Sequence, residues 1–348
     1  MGIDAGYAER THEGMGTVMT HRAFGPNARR ALEVVVWRAT ELEAVMSRFV
    51  PESEISTVNR LAGASDAAVG PEVFAVLKFS TELSRSCERL FDVTVGPLVD
   101  LWAVATRQLA EGAGSGGEVD GAGSGADGWH RAASIAAIPD EDEIRRCLQL
   151  VDYADVELDP LRGRARLRRP GQSIDLGGVA KGYAADAFAA ELRHAGVRSA
   201  FTNIGGNVAT VGGRPDGSPW QVGIRHPRAS GELIAAVQAS GVSVVTSGDY
   251  ERFFVDGLGV CRCHILDPRT GYPASSGLVS VTVVAESSMQ ADALSTLAFV
   301  AGLDLGITYL AQHDIVGAVL IDENLSIWAS RSLLPRLVVA GGAQVRTF

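Results

Sequence analysis

Oxygen-bearing side chains recur on one face of a segment near the C-terminal end of the chain. Residues 289–300 have the pattern of a helix, and they carry Asp292, Ser295 and Thr296. Residues at positions i, i+3 and i+4 share one helix face, and carboxylate and hydroxyl oxygens suit a hard cation such as Mg²⁺. The alternative is an acidic residue in a first helical turn beside small polar residues that pack against a neighbour. Spacing alone favours this alternative.

A second candidate is the segment 173–190, where an acid, two glycines and a cation precede an alanine-rich helix. Asp175, Gly177, Gly178 and Lys181 form this pattern. Glycine lets a backbone approach a ligand closely, and a helix start presents free N–H groups to an anion. The pattern therefore suits a phosphate, although neither a Walker loop nor G-x-G-x-x-G is present. Taken alone, it is better explained as a helix capped by Asp175 after a tight glycine turn.

His264 stands directly before an Asp-Pro-Arg-Thr-Gly turn signal. A histidine beside a sharp turn is often surface structure, but it can also be held as a proton acceptor. Polar glycine-containing loops at 203–207 and 246–250 each follow a predicted strand. A shared ligand cleft explains several such loops better than unrelated turns do. The residues alone therefore indicate an enzyme that binds a phosphorylated ligand and Mg²⁺.

The elements that must position these residues are helices and strands that cluster rather than alternate. We predict a strand at 15–24, helices at 27–49, 71–90 and 140–150, and a β-type run interrupted by a Gly-Pro turn at 91–102. Strands dominate the second half of the chain. This order favours an α+β fold with mixed, largely antiparallel sheets and packed helices over a doubly wound sheet.

The chain is interpreted as one domain over residues 1–348, with two intimate lobes as the alternative. A Gly/Ser/Asp-rich tract from Gly112 to Gly128 has almost nothing to bury, so we expect a flexible surface insertion there. Its role cannot be assigned from the sequence.

Composition and charge exclude several classes of protein. The 348 residues are 46% hydrophobic and carry a formal net charge of −10 without a long basic run, which argues against nucleic-acid binding. No apolar run approaches the roughly 20 residues that span a bilayer. The N-terminus shows neither an export signal nor a cysteine for lipid attachment, so we expect a cytoplasmic location. The four cysteines form no C-x-x-C pair and are interpreted as buried or incidental thiols.

Eight motifs follow one another along nearly the whole chain, apart from the Gly/Ser tract and the termini. They are MGT from Met15, SRFVPESEIS from Ser47, FDVTVGPLVDLW from Phe91, SIDLGGVAKGYAAD from Ser173, NIGGN from Asn203, TSGDYERFF from Thr246, HILDPRTGYP from His264 and VTVVAESSMQADALST from Val281. In this order they resemble the FAD:protein FMN transferases, the ApbE-type flavin transferases. Eight ordered motifs are a specific signal.

The resemblance implies an ApbE-like fold and a reaction on the Mg²⁺ complex of FAD. FAD would be cleaved at its pyrophosphate, FMN would be joined through a phosphoester to a threonine of a target flavoprotein, and AMP would leave. In such a phosphoryl transfer, charge neutralisation and positioning carry most of the catalysis. The implied acceptor has a Ser-Gly-Ala/Ser-Thr-like segment, as in a subunit of a membrane redox complex. A homodimer is left open.

The resemblance also assigns roles to individual residues. It implies that Asp292, Thr296, Ser295 and the backbone carbonyl of Gly178 hold Mg²⁺, and it matches His264 to the histidine proposed to deprotonate the accepting threonine. The implied FAD contacts are Asp175, Lys181, Leu266 through its backbone, and a pocket lined by Met15, Phe49, Val50, Pro51 and Leu90.

Two other functions remain open at this stage. The same site with water as acceptor would be a Mg²⁺-dependent FAD pyrophosphatase. A non-catalytic flavin carrier is the other alternative, but a carrier needs neither His264 nor a metal-binding helix face.

Overall fold

The chain is divided between two units, each built from segments that are distant in sequence. The structure, a computed structural model, describes residues 6–103, 135–136, 138–256, 260–342 and 344–348. The first unit comprises Met1–Glu43, Gly177–Ser247 and Gly277–Phe348. The second comprises Ala44–Leu176 and Gly248–Ser276. The tract from Gly112 to Gly128 lies outside the described residues.

The first unit is built on a nine-stranded sheet with the order β1-β2-β7-β8-β11-β14-β15-β16-β18. Most recorded pairs, such as β1–β2, β2–β7 and β14–β15, are antiparallel, whereas β16–β18 is parallel. The strands are β1 (Tyr7–Gly14), β2 (Thr17–Phe24), β7 (Ser199–Ile204), β8 (Asn207–Val211), β11 (Ser243–Gly248), β14 (Leu278–Ala285), β15 (Gly317–Asp322), β16 (Ile327–Ala329) and β18 (Val345–Thr347).

Burial along two strands shows how the sequence builds this sheet. Alternate residues of β2 are buried (Met19, His21 and Ala23), as expected for a strand with one face against the core. All eight residues of β14 are buried, as expected for a strand covered on both faces. The strand predicted at 15–24 is confirmed from Thr17 onward. Met15 and Gly16 instead form the hairpin turn, both with positive φ, and β1 was not predicted.

Helices pack on this sheet in the first unit, and a small sheet β9-β10-β17 completes it. The helices are α6 (Ala180–His194), α7 (Ser288–Ala301) and α8 (Leu303–Leu310). Helix α1 (Ala28–Met46) begins in the first unit and ends in the second. The three strands of the small sheet are β9 (Trp220–Arg225), β10 (Leu233–Ala239) and β17 (Leu337–Val339).

The second unit combines helices with two three-stranded sheets, β3-β6-β5 and β13-β12-β4. Its core cluster comprises Leu98, Trp102, Ile144, Val151, Phe254 and Leu266. Its elements are α2 (Glu54–Arg60), β3 (Ala67–Ala68), α3 (Pro71–Ser86), α4 (including residues 96–103), β4 (Ile135–Ala136), α5 (Glu141–Leu148), β5 (Val156–Asp159), β6 (Arg164–Leu167), β12 (Phe253–Asp256) and β13 (Cys261–Cys263).

The β-type run predicted at 91–102 is largely wrong. Only Val95 forms a β-bridge there, with Ser173, and helix α4 begins immediately afterwards. Pro97 fits the first turn of a helix because its φ is already helical and its missing N–H would have no intrahelical partner. The apolar residues Leu98 and Trp102 then face the core one helical turn apart.

The predicted fold class is confirmed. The described chain is α+β, with sheets that are mixed but largely antiparallel. None of the helices in the described ranges is long and apolar enough to cross a membrane.

Candidate active site

The carboxylate of Asp292 is buried in the second turn of α7, with 4% of the residue exposed. Its Oδ2 accepts a hydrogen bond of 2.8 Å from the backbone N–H of Gly182, in the first turn of α6. No lysine, arginine or histidine of the described residues lies within ion-pair distance of it. A buried carboxylate without a counter-charge is costly, so this position is suited to a bound cation.

Ser295 and Thr296 follow Asp292 on the same helix face, as the spacing predicted, and they belong to one hydrogen-bonded group. Ser295 is fully buried, and its Oγ donates to the carbonyl of Asp292 at 2.9 Å. The hydroxyl of Ser247, at the end of β11, lies 2.8 Å from Ser295 Oγ and 3.3 Å from Thr296 Oγ1. Sequence reasoning missed Ser247 as a site residue, although the polar loop at 246–250 that contains it was noticed.

The donor set fits a hard cation. Among the described residues, no group of three or more His, Cys, Asp and Glu side chains could hold a metal ion. A cation at Asp292 would therefore use one carboxylate together with hydroxyl and backbone oxygens, which are the ligands that Mg²⁺ prefers over softer metals. Thr296 is more exposed than Ser295, so its hydroxyl is the more accessible of the two.

The start of α6 is not capped by Asp175. The N-cap residue of α6 is Val179, which makes no side-chain cap hydrogen bond. The interpretation of Asp175 as the cap is therefore wrong. Lys181 Nζ donates to the carbonyl of Gly177 at 2.8 Å, so its side chain folds back over the turn that contains Gly178.

In the second unit, Asp175 is bound by an arginine instead. Arg48 Nη1 donates to Asp175 Oδ2 at 3.0 Å, and Arg48 Nη2 donates to Asp100 Oδ2 at 2.5 Å. Only 9% of the Arg48 side chain is exposed. Burial alone would lower the pKa of Arg48, but Asp175 and Asp100 outweigh burial and raise this pKa above its usual value. The arginine therefore stays charged and neutralises Asp175.

The backbone of the segment 173–175 is also fixed. Asn59 makes two hydrogen bonds with the backbone of Ile174, at 3.0 and 2.7 Å, and the N–H of Asp175 donates to the carbonyl of Val93 at 2.7 Å. Gly96 is required beside this segment, because a Cβ there would clash with the side chain of Ser173. These contacts with Asn59 and with the motif beginning at Phe91 fix the backbone on which Asp175 stands.

The residues predicted to line the FAD pocket have different surroundings. Phe49, Val50 and Pro51 form one turn just after α1, and 49% of Phe49 is exposed, with the Arg48 guanidinium 5.6 Å from its ring centre. The side chain of Leu90 is buried. Met15, by contrast, lies in the first unit at the tip of the β1–β2 hairpin.

His264 is anchored by Arg252, the residue before β12. Its Nδ1 lies 3.2 Å from the carbonyl oxygen of Arg252, and its backbone N–H donates to the same oxygen at 3.1 Å. A carbonyl can only accept, so this contact places a proton on Nδ1, and in the neutral form of the ring Nε2 is then the basic nitrogen. That tautomer can accept a proton from an incoming hydroxyl.

The turn after His264 is tightly closed. The N–H of Asp267 donates to the carbonyl of Tyr272 at 2.8 Å, and the N–H of Gly271 donates to the carbonyl of Asp267 at 2.9 Å. The buried indole N–H of Trp102 donates to the carbonyl of Gly271 at 2.8 Å. Leu266, whose side chain is buried, pairs with Pro273 in this hairpin. These contacts fix the backbone of the turn that follows His264 in the second unit.

The predicted site residues thus fall into two sets, one in each unit. Residues 15–320 match the model of the family described as the ApbE family. The chain belongs to the ApbE family. The predicted family and the predicted transferase class of enzyme are both confirmed. The first unit holds Met15, Gly178, Lys181, Asp292, Ser295 and Thr296, and the second holds Phe49, Val50, Pro51, Leu90, Asp175, His264 and Leu266.

Individual members of the ApbE family resemble the chain over most of its length. It is 34% identical to a FAD:protein FMN transferase of Klebsiella pneumoniae, over 79% of this chain and 77% of the relative. A FAD:protein FMN transferase of Treponema pallidum is 30% identical, over 89% of this chain and 82% of the relative. The crystal structure of the ApbE protein of Thermotoga maritima aligns with a TM-score of 0.78 at 28% identity, covering 92% of this chain and 96% of the other. The flavin transferase ApbE of Vibrio cholerae aligns with a TM-score of 0.75 at 26% identity, covering 95% and 99%.

Proposed function

We propose that this protein is a Mg²⁺-dependent transferase that moves the FMN part of FAD onto a threonine hydroxyl of a target flavoprotein and releases AMP. The observation that carries the proposal is the buried carboxylate of Asp292, which has no basic partner among the described residues and is followed by hydroxyls on one helix face. The names of the relatives supply the substrate FAD and a protein acceptor.

In this proposal, Asp292, Thr296, Ser295 and the carbonyl of Gly178 hold Mg²⁺. When bound, the ion neutralises charge on the pyrophosphate oxygens. The N–H of Gly182 keeps the Asp292 carboxylate oriented through Oδ2, which leaves Oδ1 available as a ligand. Ser247 supports the two hydroxyls by hydrogen bonding to both.

His264 accepts the proton of the acceptor threonine in this proposal. The threonine oxygen forms a bond to the phosphorus of the FMN part, the bridging P–O bond of the pyrophosphate breaks, and the electron pair leaves with AMP. The proton goes to Nε2 of His264, the proton-accepting nitrogen of the neutral tautomer that donates Nδ1–H to the carbonyl of Arg252. Lys181 and Asp175 are assigned to FAD contact, as are Leu266 through its backbone and the pocket residues from Met15 to Leu90.

The test is to incubate the full chain with FAD, Mg²⁺ and a candidate flavoprotein, and to measure AMP together with the mass of the target. The proposal expects one AMP for each target molecule that gains the mass of FMN, and no reaction when Mg²⁺ is chelated. AMP without a gain in target mass would show a pyrophosphatase instead. FAD binding without AMP would show a carrier.

A further inference from the structure

Helices α6 and α7 bind each other's first turns through two carboxylates. Asp186, on α6, accepts hydrogen bonds from Ser287 Oγ at 2.8 Å, from the N–H of Ser288 at 2.7 Å and from the N–H of Met289 at 3.0 Å. These donors belong to the N-cap residue and first turn of α7. Asp186 therefore satisfies N–H groups that have no partner within their own helix.

The reciprocal contact runs from α6 to Asp292. Gly182 lies one turn before Asp186 on α6, and its N–H is one of the first-turn donors of α6 that bind no residue within the helix. This N–H donates to Oδ2 of Asp292 at 2.8 Å. Each helix thus places a carboxylate at the positive end of the other helix, where a negative charge is stabilised.

Close packing makes this arrangement rigid. A Cβ on Gly182 would lie 2.7 Å from the Cβ of Asp292 and 2.7 Å from the Cα of Met289, so only glycine allows the helices to approach this closely. Asp186 and Gly182 are four residues apart and lie on one face of α6. Asp186 contacts the first turn of α7, and Gly182 contacts Asp292 one turn further along α7. Two contacts separated along the axis determine both the height and the rotation of α7.

Burial and hydrogen bonding act in opposite directions on the carboxylate of Asp186. Burial raises the pKa of Asp186, and the hydrogen bonds from Met289, Ser288 and Ser287 oppose this rise. Its strongest contacts are therefore the three donors of α7. All the hydrogen bonds recorded for the Asp186 carboxylate come from the start of α7, while Arg193 of its own helix also stabilises its charge.

We propose that Asp186 is a positioning residue for the cation-binding carboxylate of Asp292. It holds the first turn of α7 and thereby fixes the direction in which Asp292 presents Oδ1, while Gly182 holds Oδ2. The inference rests on the proposed function in so far as Asp292 binds Mg²⁺. Asp186 itself touches neither the cation nor the substrate.

The test uses Mn²⁺ as the probe, because its binding can be followed by electron paramagnetic resonance without turnover. The full chain is compared with Asp186→Ala, Asp186→Asn, Ser287→Ala and Asp292→Ala, each titrated with Mn²⁺ in the presence of FAD. Glu191→Gln, a charge removal on the same helix away from α7's first turn, is the matched control. Melting temperature is measured for every variant.

We expect Asp186→Ala to weaken Mn²⁺ binding at least tenfold, and Asp186→Asn and Ser287→Ala to weaken it by smaller factors, because each removes only part of the contact. In FMN transfer, the Mg²⁺ concentration for half-maximal rate should rise by the same factors. The rate at saturating Mg²⁺ should recover to within about threefold of the full chain, since Asp186 does not touch the reacting atoms. Glu191→Gln should change none of these values.

A lower melting temperature with unchanged Mn²⁺ affinity would make Asp186 a packing residue and overturn the inference. If Asp186→Ala does not fold, unchanged Mn²⁺ affinity in both Asp186→Asn and Ser287→Ala would overturn it equally. Different results would reject the proposed function. Mn²⁺ binding that depends on Asp292 and Asp186 without any FMN transfer would leave the inference standing and reject the transferase. Mn²⁺ binding unaffected by Asp292→Ala would reject the metal site and the inference together.

Discussion

Two aspartates from the predicted site have opposite surroundings. Asp175, in the second unit, forms an ion pair with the buried Arg48, which also binds Asp100. Asp292, in the first unit, has only the N–H of Gly182 and nearby hydroxyls and no basic partner among the described residues. An aspartate already paired with arginine has little charge left to attract a cation, whereas no basic side chain of the described residues offsets the carboxylate of Asp292. The same residue type can therefore organise a segment in one unit and, in the proposed function, hold a cation in the other.

The largest loss of activity should come from removing the carboxylate of Asp292. We expect Asp292→Ala to lower FMN transfer at least about 10³-fold, because an electrostatic clamp on a phosphoryl group is lost. The fold should persist, since the mutation also removes the burial cost of the carboxylate. AMP release and thermal melting measure the two effects. Asp304→Ala, an exposed acidic position in the first turn of α8, is the control. Full activity of Asp292→Ala at low millimolar Mg²⁺ would show that the carboxylate of Asp292 does not bind the cation.

His264 tests whether the second unit contributes chemistry as well as structure. His264→Asn should lower FMN transfer by about 10²–10⁴-fold, the usual contribution of a general base, while FAD affinity stays the same. The loss should shrink as pH rises, because more of the acceptor hydroxyl then ionises unaided. Flavin fluorescence measures the binding, and target mass measures the transfer. A parallel loss of binding and transfer, without recovery at high pH, would leave His264 as a brace for the turn at Asp267.

Breaking the neutralised pair should affect stability rather than metal binding. Arg48→Met removes the arginine that pairs with Asp175, whose side chain is only 16% exposed, so we expect a loss of about 2–4 kcal/mol in the free energy of unfolding. The double variant Arg48→Met with Asp175→Asn should recover part of this loss, because no uncompensated charge remains. Urea unfolding measures both variants. A loss below about 0.5 kcal/mol in the single variant would show that the ion pair of Arg48 and Asp175 contributes no more than an ordinary surface ion pair.

His21 shows a third way to bury a titratable group, which is to keep it neutral. Burial, and secondly the neighbouring His12 at 3.0 Å, lower the pKa of His21 to about 3. The neutral ring therefore contributes stability that is present above pH 6.5, the unfolded value, and is lost as pH falls toward 3. Between pH 7 and 4.5, we expect His21→Phe to lose about 2 kcal/mol less stability than the unmodified chain. Urea unfolding at the two pH values measures this difference, and equal losses would contradict it.

Local patterns predicted several helices and strands and the helix face that carries Asp292, Ser295 and Thr296. The helix with Asp292, Ser295 and Thr296 and the strand β14 are visible because their spacing or apolar content lies within a few residues. The residues that contact these elements in the folded chain cannot be found from local spacing. Gly182 and Asp292 are 110 positions apart in sequence, and no local period links them.

The same reasoning explains the wrong cap. Asp175 stands at a suitable distance before α6, so capping was the best local explanation. The carboxylate of Asp175 instead binds Arg48, which lies 127 positions away in the sequence. Ser247, Asp186 and Arg48 were all missed as partners for this reason. Each is an ordinary polar residue until the chain is folded.

The hydrogen bond between Trp102 and Gly271 gives the protein a built-in optical probe. The indole of Trp102 is fully buried, lies beside the rings of Phe254 and Tyr272 at centroid distances of 5.8 and 5.9 Å, and donates to the turn that follows His264. Its emission should therefore be blue-shifted and should respond when that turn moves. The chain has five tryptophans; Trp37, which is 61% exposed, would contribute red-shifted emission, and Trp37→Phe removes that part of the background. Stopped-flow fluorescence of that variant could time the movements of the His264 turn during a catalytic cycle without any attached dye.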